Sequence, residues 1–239
     1  MQNLVILANK ITQDFDKNLE LMLEQIESLE DDSLILAPEF ALSGYSYENM
    51  QKSIDISKLA LEKLPLACEN KHLGLSLVLE ENGRIYNTFC FFSKGSLIFT
   101  QSKIKLFNLN DEEIYFSTRA KKNLEIFVVN GLKIGVLICF ELRFLEFWQE
   151  LRGVDLILVP AMWGKERANN FEDLAKALAT INQCFVLGAI PKNKSLANSS
   201  LIVFPDGKYQ MLENLDFLEK KVDFVDVKKQ RKLLFTGLC

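Results

Sequence analysis

The sequence carries one histidine, His72, among 239 residues. A cysteine or serine nucleophile is ordinarily activated by histidine, and His72 stands in "ENKHLGLSL" just ahead of an apolar run, where it reads as a residue opening a strand. Any nucleophile here therefore needs another proton acceptor. Cysteine is also sparse: five residues, an odd number with no CxxC spacing, fit reduced thiols rather than a disulfide framework or a zinc site. Cys239 is the last residue and so forms no prenylation box. No apolar run approaches the ~20 residues of a membrane span, and the first residues carry no basic leader, so no membrane contact is expected and the cytoplasm is the expected location. With a net charge of -4 and lysines scattered apart from "KKQRK", the chain offers no nucleic-acid footprint, and that short run reads as a solvated face. Neither a metal-ligand cluster nor a phosphate-binding glycine loop is visible, so no cofactor is expected.

What is present is core-forming material. Hydrophobic residues make up 49% and charged residues 25%, which suits a folded chain read as one domain, 1–239. Apolar runs such as "NLVILA", "SLILAP", "LGLSLVLE", "VDLILVP", "CFVLGAI", "SSLIVFP" and "KVDFVDV" read as strands, several of them buried on both faces. "DKNLELMLEQIESLE" and "NNFEDLAKALATIN" carry one-sided apolar stripes and read as helices, and "FLEFWQELRG" reads as a third, closed by Gly153. "IYNTFCFFSKGSLIFTQ" and "LEIFVVNGLKIGVLIC" read as hairpins turning at "KG" and "NG". The expected class is α/β, with mixed sheets covered by helices in layers.

Three chemically active side chains follow three of these strands. Glu39 comes after "LILAP", Lys103 after "SLIFTQS", and Cys139 at the end of "KIGVLIC". In layered α/β proteins, sites gather at strand ends. Each residue has a plainer explanation alone: a helix-opening acid, a surface charge, a core thiol. Together they offer a thiol, a carboxylate able to take its proton in a dry pocket, and a cation.

The surrounding motifs resemble those of the nitrilase, or carbon-nitrogen hydrolase, superfamily. "PEFALSGY", "SKIKLF" and "CFELRF" are similar in order and spacing to its Glu, Lys and Cys signatures; the usual Cys-Tyr-Asp-x-Arg-Phe-Pro-Glu stands here as Cys139 to Glu146. "GRIYNTFCFF", "VDLILVPAMW", "NQCFVLGA" and "NSSLIVFPDG" extend the likeness over nearly the whole chain. The departures are Lys105 where histidine is frequent, Ser117-Thr118-Arg119 for Thr-Pro-Gly, and Ile181 for a glutamate.

The resemblance implies a four-layer α-β-β-α sandwich with mixed sheets. It implies a Cys-dependent amidohydrolase that cleaves a small non-peptide amide or ureido C-N bond through a thioester. Cys139 would be the nucleophile, favoured as a thiolate at a helix start. Glu39 would be the base and acid, and Lys103 with the backbone N-H of Phe140 would hold the oxyanion. Glu112 would orient Lys103 or the water, with Glu113 its rival. Glu141 and Arg143 are expected to form ion pairs fixing the turn. The loop "PAMWGKERANN" is the expected specificity element, with Met162 and Trp163 as walls and Lys165 or Arg167 meeting an anionic substrate tail. Family members associate through the helix after the cysteine and a neighbouring one, so a homodimer or higher homo-oligomer is expected. Two substrate groups stay open, ω-amides of dicarboxylic acids and N-carbamoyl compounds; nitriles, acyl transfer and redox sensing are weaker readings. From another class comes a non-catalytic scaffold, which a lost triad residue would have favoured.

Overall fold

In a computed structural model, residues 1–120, 123–212, 215–234 and 237 are described. Cys239 lies outside them. The first sheet is built from β1 (Gln2–Leu7), β2 (Leu34–Leu36), β3 (His72–Glu81), β4 (Arg84–Ser93) and β5 (Ser96–Ser102). The second holds β6 (Phe127–Val129), β7 (Leu132–Val136), β8 (Leu156–Pro160), β9 (Phe185–Ala189), β10 (Leu201–Val203) and β11 (Tyr209–Met211). The last strand, β12 (Phe217–Val222), returns to the first sheet and pairs antiparallel with β1. Both sheets are mixed: β1, β2 and β3 run parallel, as do β7, β8 and β9, and antiparallel hairpins extend each.

Alternation along the strands produces the layers. In β1, Leu4 and Ile6 join the core between the sheets, while Val5 and Leu7 join a second core under the helices α1 (Phe15–Ser28) and α2 (Met50–Ala67). Leu34 and Leu36 repeat the first direction, Ile35 and Ala37 the second. The other sheet is covered through Phe171, Ala175 and Leu178 of α5 (Ala168–Asn182). This is the expected four-layer sandwich. Between these lie the one-turn α3 (Glu112–Tyr115) and the short α4 (Leu145–Glu150); α6 (Val225–Leu234) follows the last strand. No helix among the described residues is long and apolar enough to cross a membrane.

Both expected hairpin turns form with two successive positive φ angles, Lys94-Gly95 at 48° and 78° and Asn130-Gly131 at 50° and 80°, the twist that suits two-residue hairpins. Three elements differ from the sequence reading. Helix α2 escaped it because Ser53 and Ser57 interrupt its buried face; the Ser57 hydroxyl accepts the Val78 N-H at 3.1 Å and donates to the Ser53 carbonyl at 2.8 Å. The short β11 also escaped it. "KVDFVDV" is not one strand: β12 ends at Val222, and Asp223 Oδ1 accepts the Val225 N-H at 2.9 Å to open α6. The "KKQRK" run lies on that helix, and Arg231 turns inward to the Val154 carbonyl and to Asp155 at 3.6 Å, so the run is only partly a solvated face.

Close packing between the sheets yields a direct test. A Cβ at Gly74 in β3 would stand 2.5 Å from Phe89 Cζ and 3.3 Å from Phe91 Cδ2, both in the inter-sheet core. Gly74→Ala is therefore expected to lower unfolding free energy by about 1–3 kcal/mol in urea titration. An unchanged midpoint would show that Phe89 moves aside freely.

Candidate active site

Strand ends bring the polar residues together. Glu39 follows β2, and the next residue, Phe40, has φ 48° with its N-H bonded to Ser76 Oγ at 2.9 Å, which fixes the turn. Lys103 follows β5, its N-H bonded to the Asn87 carbonyl at 2.8 Å. Cys139 follows β7 with φ 53°, a left-handed conformation unusual outside glycine and asparagine, and opens a 3-10 turn over Cys139–Arg143. Two sheets thus supply the carboxylate and cation on one side and the thiol on the other.

Glu39, Lys103 and Glu112 are all buried. Lys103 Nζ lies 2.9 Å from Glu39 Oε1 and 2.9 Å from both Glu112 oxygens. Glu113 is exposed, so the geometry selects Glu112. Burial alone would pull the Lys103 ammonium down, but Glu39, Cys139 and Glu112 outweigh it and raise its pKa, which keeps the cation charged. Two residues that sequence reasoning left without a role complete the cluster. Asn87 Nδ2 donates to Glu39 Oε1 at 2.8 Å and to Glu112 Oε1 at 3.2 Å. The Tyr45 hydroxyl lies 3.4 Å from Lys103 Nζ and 3.3 Å from Glu112 Oε1. Both stand in motifs that carry the family resemblance, "GRIYNTFCFF" and "PEFALSGY", and that is their signal in the sequence.

Glu39 Oε2 has no hydrogen-bond partner among the described residues. The same carboxyl acts on Cys139: burial first and Glu39 second push the thiol well above its ordinary range, while Lys103 and a backbone hydrogen bond from Met162 pull the other way. The expected helix start is a five-residue 3-10 turn rather than a long helix, and against any pull from it burial and Glu39 push the thiol up.

Beside Cys139 opens a pocket of about 420 Å³. Phe107, Phe140, Met162 and Trp163 form apolar walls, and Arg143 and Arg167 also line it. The Arg143 guanidinium lies 4.6 Å from the Trp163 ring centre and that of Arg167 5.6 Å from Phe107. Among the described residues, no Asp or Glu is in the lining. Lys165 is exposed and outside it; a 3-10 turn over Lys165–Arg167 carries Arg167, not Lys165, to the wall. Arg143 is likewise a pocket residue rather than the partner of Glu141, whose carboxylate binds backbone amides instead. The departures from the family pattern lie elsewhere. Lys105 pairs with Glu146 at 3.6 Å, Arg119 pairs with Glu81 and bonds Ser102 Oγ at 2.8 Å, and Ile181 is exposed at the end of α5. His72 is the first residue of β3, buried between Ser93 and Asn130, and burial lowers its pKa. No metal-binding group of His, Cys, Asp or Glu occurs among the described residues.

Fold and sequence together bring a thiol, a carboxylate and a cation to neighbouring strand ends. The chain belongs to the carbon-nitrogen hydrolase family, whose model matches residues 5–231, and stands in the amidase-like branch of the nitrilase superfamily. It is similar to 2-oxoglutaramate amidase of Bacillus subtilis, 30% identical over 204 residues that cover 80% of this chain and 77% of that protein. An omega-amidase of Escherichia coli is 26% identical over 181 residues, covering 74% and 69%. In fold it matches a carbon-nitrogen hydrolase superfamily protein of Xanthomonas campestris with a TM-score of 0.86 and 21% identity, covering 100% of this chain and 97% of that one. The protein is thus a hydrolase of non-peptide carbon-nitrogen bonds.

Proposed function

We propose that the chain, read as one domain over 1–239, hydrolyses a short linear amide carrying a carboxylate at its far end, an ω-amide of a dicarboxylic acid. The observation that carries the chemistry is Glu39: one oxygen is tied to Lys103 and Asn87, the other is not engaged by either, and the carboxyl acts directly on the Cys139 thiol. As sulfur attacks the amide carbon, the S-H proton passes to Glu39 Oε2 and the S-C bond forms. Lys103 and the Phe140 backbone N-H hold the oxyanion, a role in which one donor is worth about 3 kcal/mol. When the C-N bond breaks, Glu39 gives that proton to the leaving nitrogen and ammonia departs, leaving the thioester on Cys139. Water then attacks the thioester with Glu39 as base; the acid leaves and the thiol is restored. Glu112 holds Lys103 in place through all steps.

The two guanidinium groups and the absence of a pocket carboxylate favour an anionic tail. The similarity to amidases named for 2-oxoglutaramate and omega-amides supports the amide over the N-carbamoyl reading. Ammonia release from a panel of ω-amides, tail-less amides and N-carbamoyl acids decides it. Arg167→Ala is expected to raise KM for the ω-amide about 10–100-fold with kcat little changed, and to leave a tail-less amide unaffected. An equal effect on both substrates would remove Arg167 from tail recognition. A homo-oligomer also belongs to this reading: Leu145 on α4 and Ile181 on α5 are 62% and 59% exposed, apolar side chains on the two helices expected to meet a second copy. So does a cytoplasmic location, since Cys68, Cys90, Cys139 and Cys184 are free thiols.

A further inference from the structure

Nucleophile and cation stand on different sheets, so something must fix the distance between them. We propose that the Glu141 carboxylate is that positioning group, a clamp joining the backbone beside Lys103 to the backbone beside Cys139. Its Oε1 accepts the Ile104 N-H at 2.6 Å and the Lys105 N-H at 3.3 Å, and its Oε2 accepts the Ile138 N-H at 2.7 Å. The Ile104 N-H belongs to the peptide unit that leaves Lys103, and the Ile138 N-H to the unit one residue ahead of the one that enters Cys139, so each oxygen holds backbone next to one reacting residue. Farther back, the sheets are also joined by Gln101 Nε2 to the Val136 carbonyl at 3.2 Å. That bond aligns the strands, and Glu141 aligns their ends.

The clamp needs a carboxylate. Three donors and two acceptor oxygens match an ionised group, whereas a protonated oxygen would set its hydrogen against an amide. Glu141 is fully buried. Burial pushes its carboxyl up to about 7, against the pull of the Ile104 and Ile138 amides, of Lys103 and of the Lys105 amide. Of the other charged or titratable groups on the adjoining segments, the Lys105 ammonium turns to Glu146 and the Arg143 guanidinium to Trp163, and Cys139 shares the turn. As the pH falls below neutrality the clamp takes up a proton and loosens, so kcat should fall on the acid side with it.

The test compares wild type with Glu141→Gln and Glu141→Asp. The kinetic arm rests on the amidase reading, and the exchange arm does not. For a short ω-amide, Glu141→Gln is expected to lower kcat about 100-fold with KM within about threefold, because its NH2 faces an amide N-H and displaces one segment. Its acid limb near pH 7 should vanish, and Glu141→Asp, keeping the charge on a shorter arm, should recover part of kcat. In hydrogen exchange the Ile104 and Ile138 amides should both lose protection in Glu141→Gln while amides of β3 and β4 keep theirs. Unchanged kcat and pH profile, or loss of protection on one segment alone, would overturn the clamp. If wild type shows no amide hydrolysis, the amidase reading fails and the exchange result still decides the clamp; if Glu141→Gln does not fold, Glu141→Asp is read in both arms, with protection of both amides as in wild type and unreduced kcat overturning the proposal.

Discussion

Cys139→Ala is expected to abolish ammonia release, a fall of ~10⁴-fold or more in kcat, with the fold intact. The reason lies in what the sulfur does before substrate arrives. Burial and Glu39 push the thiol well above its ordinary range, which favours the S-H form at rest, and in the proposed mechanism the nucleophile is generated only as the proton moves to Glu39. Alanine has no group to form the thioester, and water alone would have to attack an unactivated amide. Cys139→Ser should fare little better. A hydroxyl gives up its proton far less readily than a thiol, and no histidine is at hand to help, since His72 opens β3 between Ser93 and Asn130. Trapping the acyl group by rapid quench and intact mass measurement checks the same step: wild type should gain one acyl mass on Cys139, and neither variant should. The raised thiol also sets a pH test on free enzyme. Alkylation of Cys139 by iodoacetamide should be slow at neutral pH and accelerate as the pH rises, because only the thiolate reacts. Rapid alkylation at neutral pH would show a thiolate resting state, and ammonia release that survived in Cys139→Ala would exclude the thioester.

The positions of Glu39, Lys103 and Cys139 were legible because each ends an apolar run, and a polar side chain at such a boundary stands out against its strand. Asn87 was not, since it lies inside a run that reads as plain β4; only the fold shows its amide between two carboxylates. Glu112 and Glu113 are adjacent in sequence, and the resemblance favoured the former. What separates them physically is a single turn of helix entered through Asp111 at φ 52°, which buries one and exposes the other. Lys165, Arg167 and Arg143 differ for a similar reason: a cation's direction depends on where a 3-10 turn begins, and no periodicity records that. Helix α2 is hidden because serines bonded to backbone can pack as closely as apolar side chains, so Ser53 and Ser57 interrupt its apolar stripe.

Lys103→Met should damage stability as well as catalysis, and the two effects can be separated. The lysine ammonium is the charge partner of both buried carboxylates, Glu39 and Glu112, at 2.9 Å from each. Replacing it with an apolar chain of similar length leaves two negative charges sharing the Asn87 amide. Breaking a buried ion pair from one side costs on the order of 3–5 kcal/mol. Urea titration of wild type and variant measures that loss. Adding Glu112→Gln removes one of the two charges, so the double variant should recover stability. It should not recover ammonia release, because the oxyanion would still lack its cation. Recovery of both together would mean that Lys103 serves the fold alone, whereas recovery of stability without activity would assign the same ammonium to two tasks: neutralising the carboxylates at rest and the carbonyl oxygen during attack.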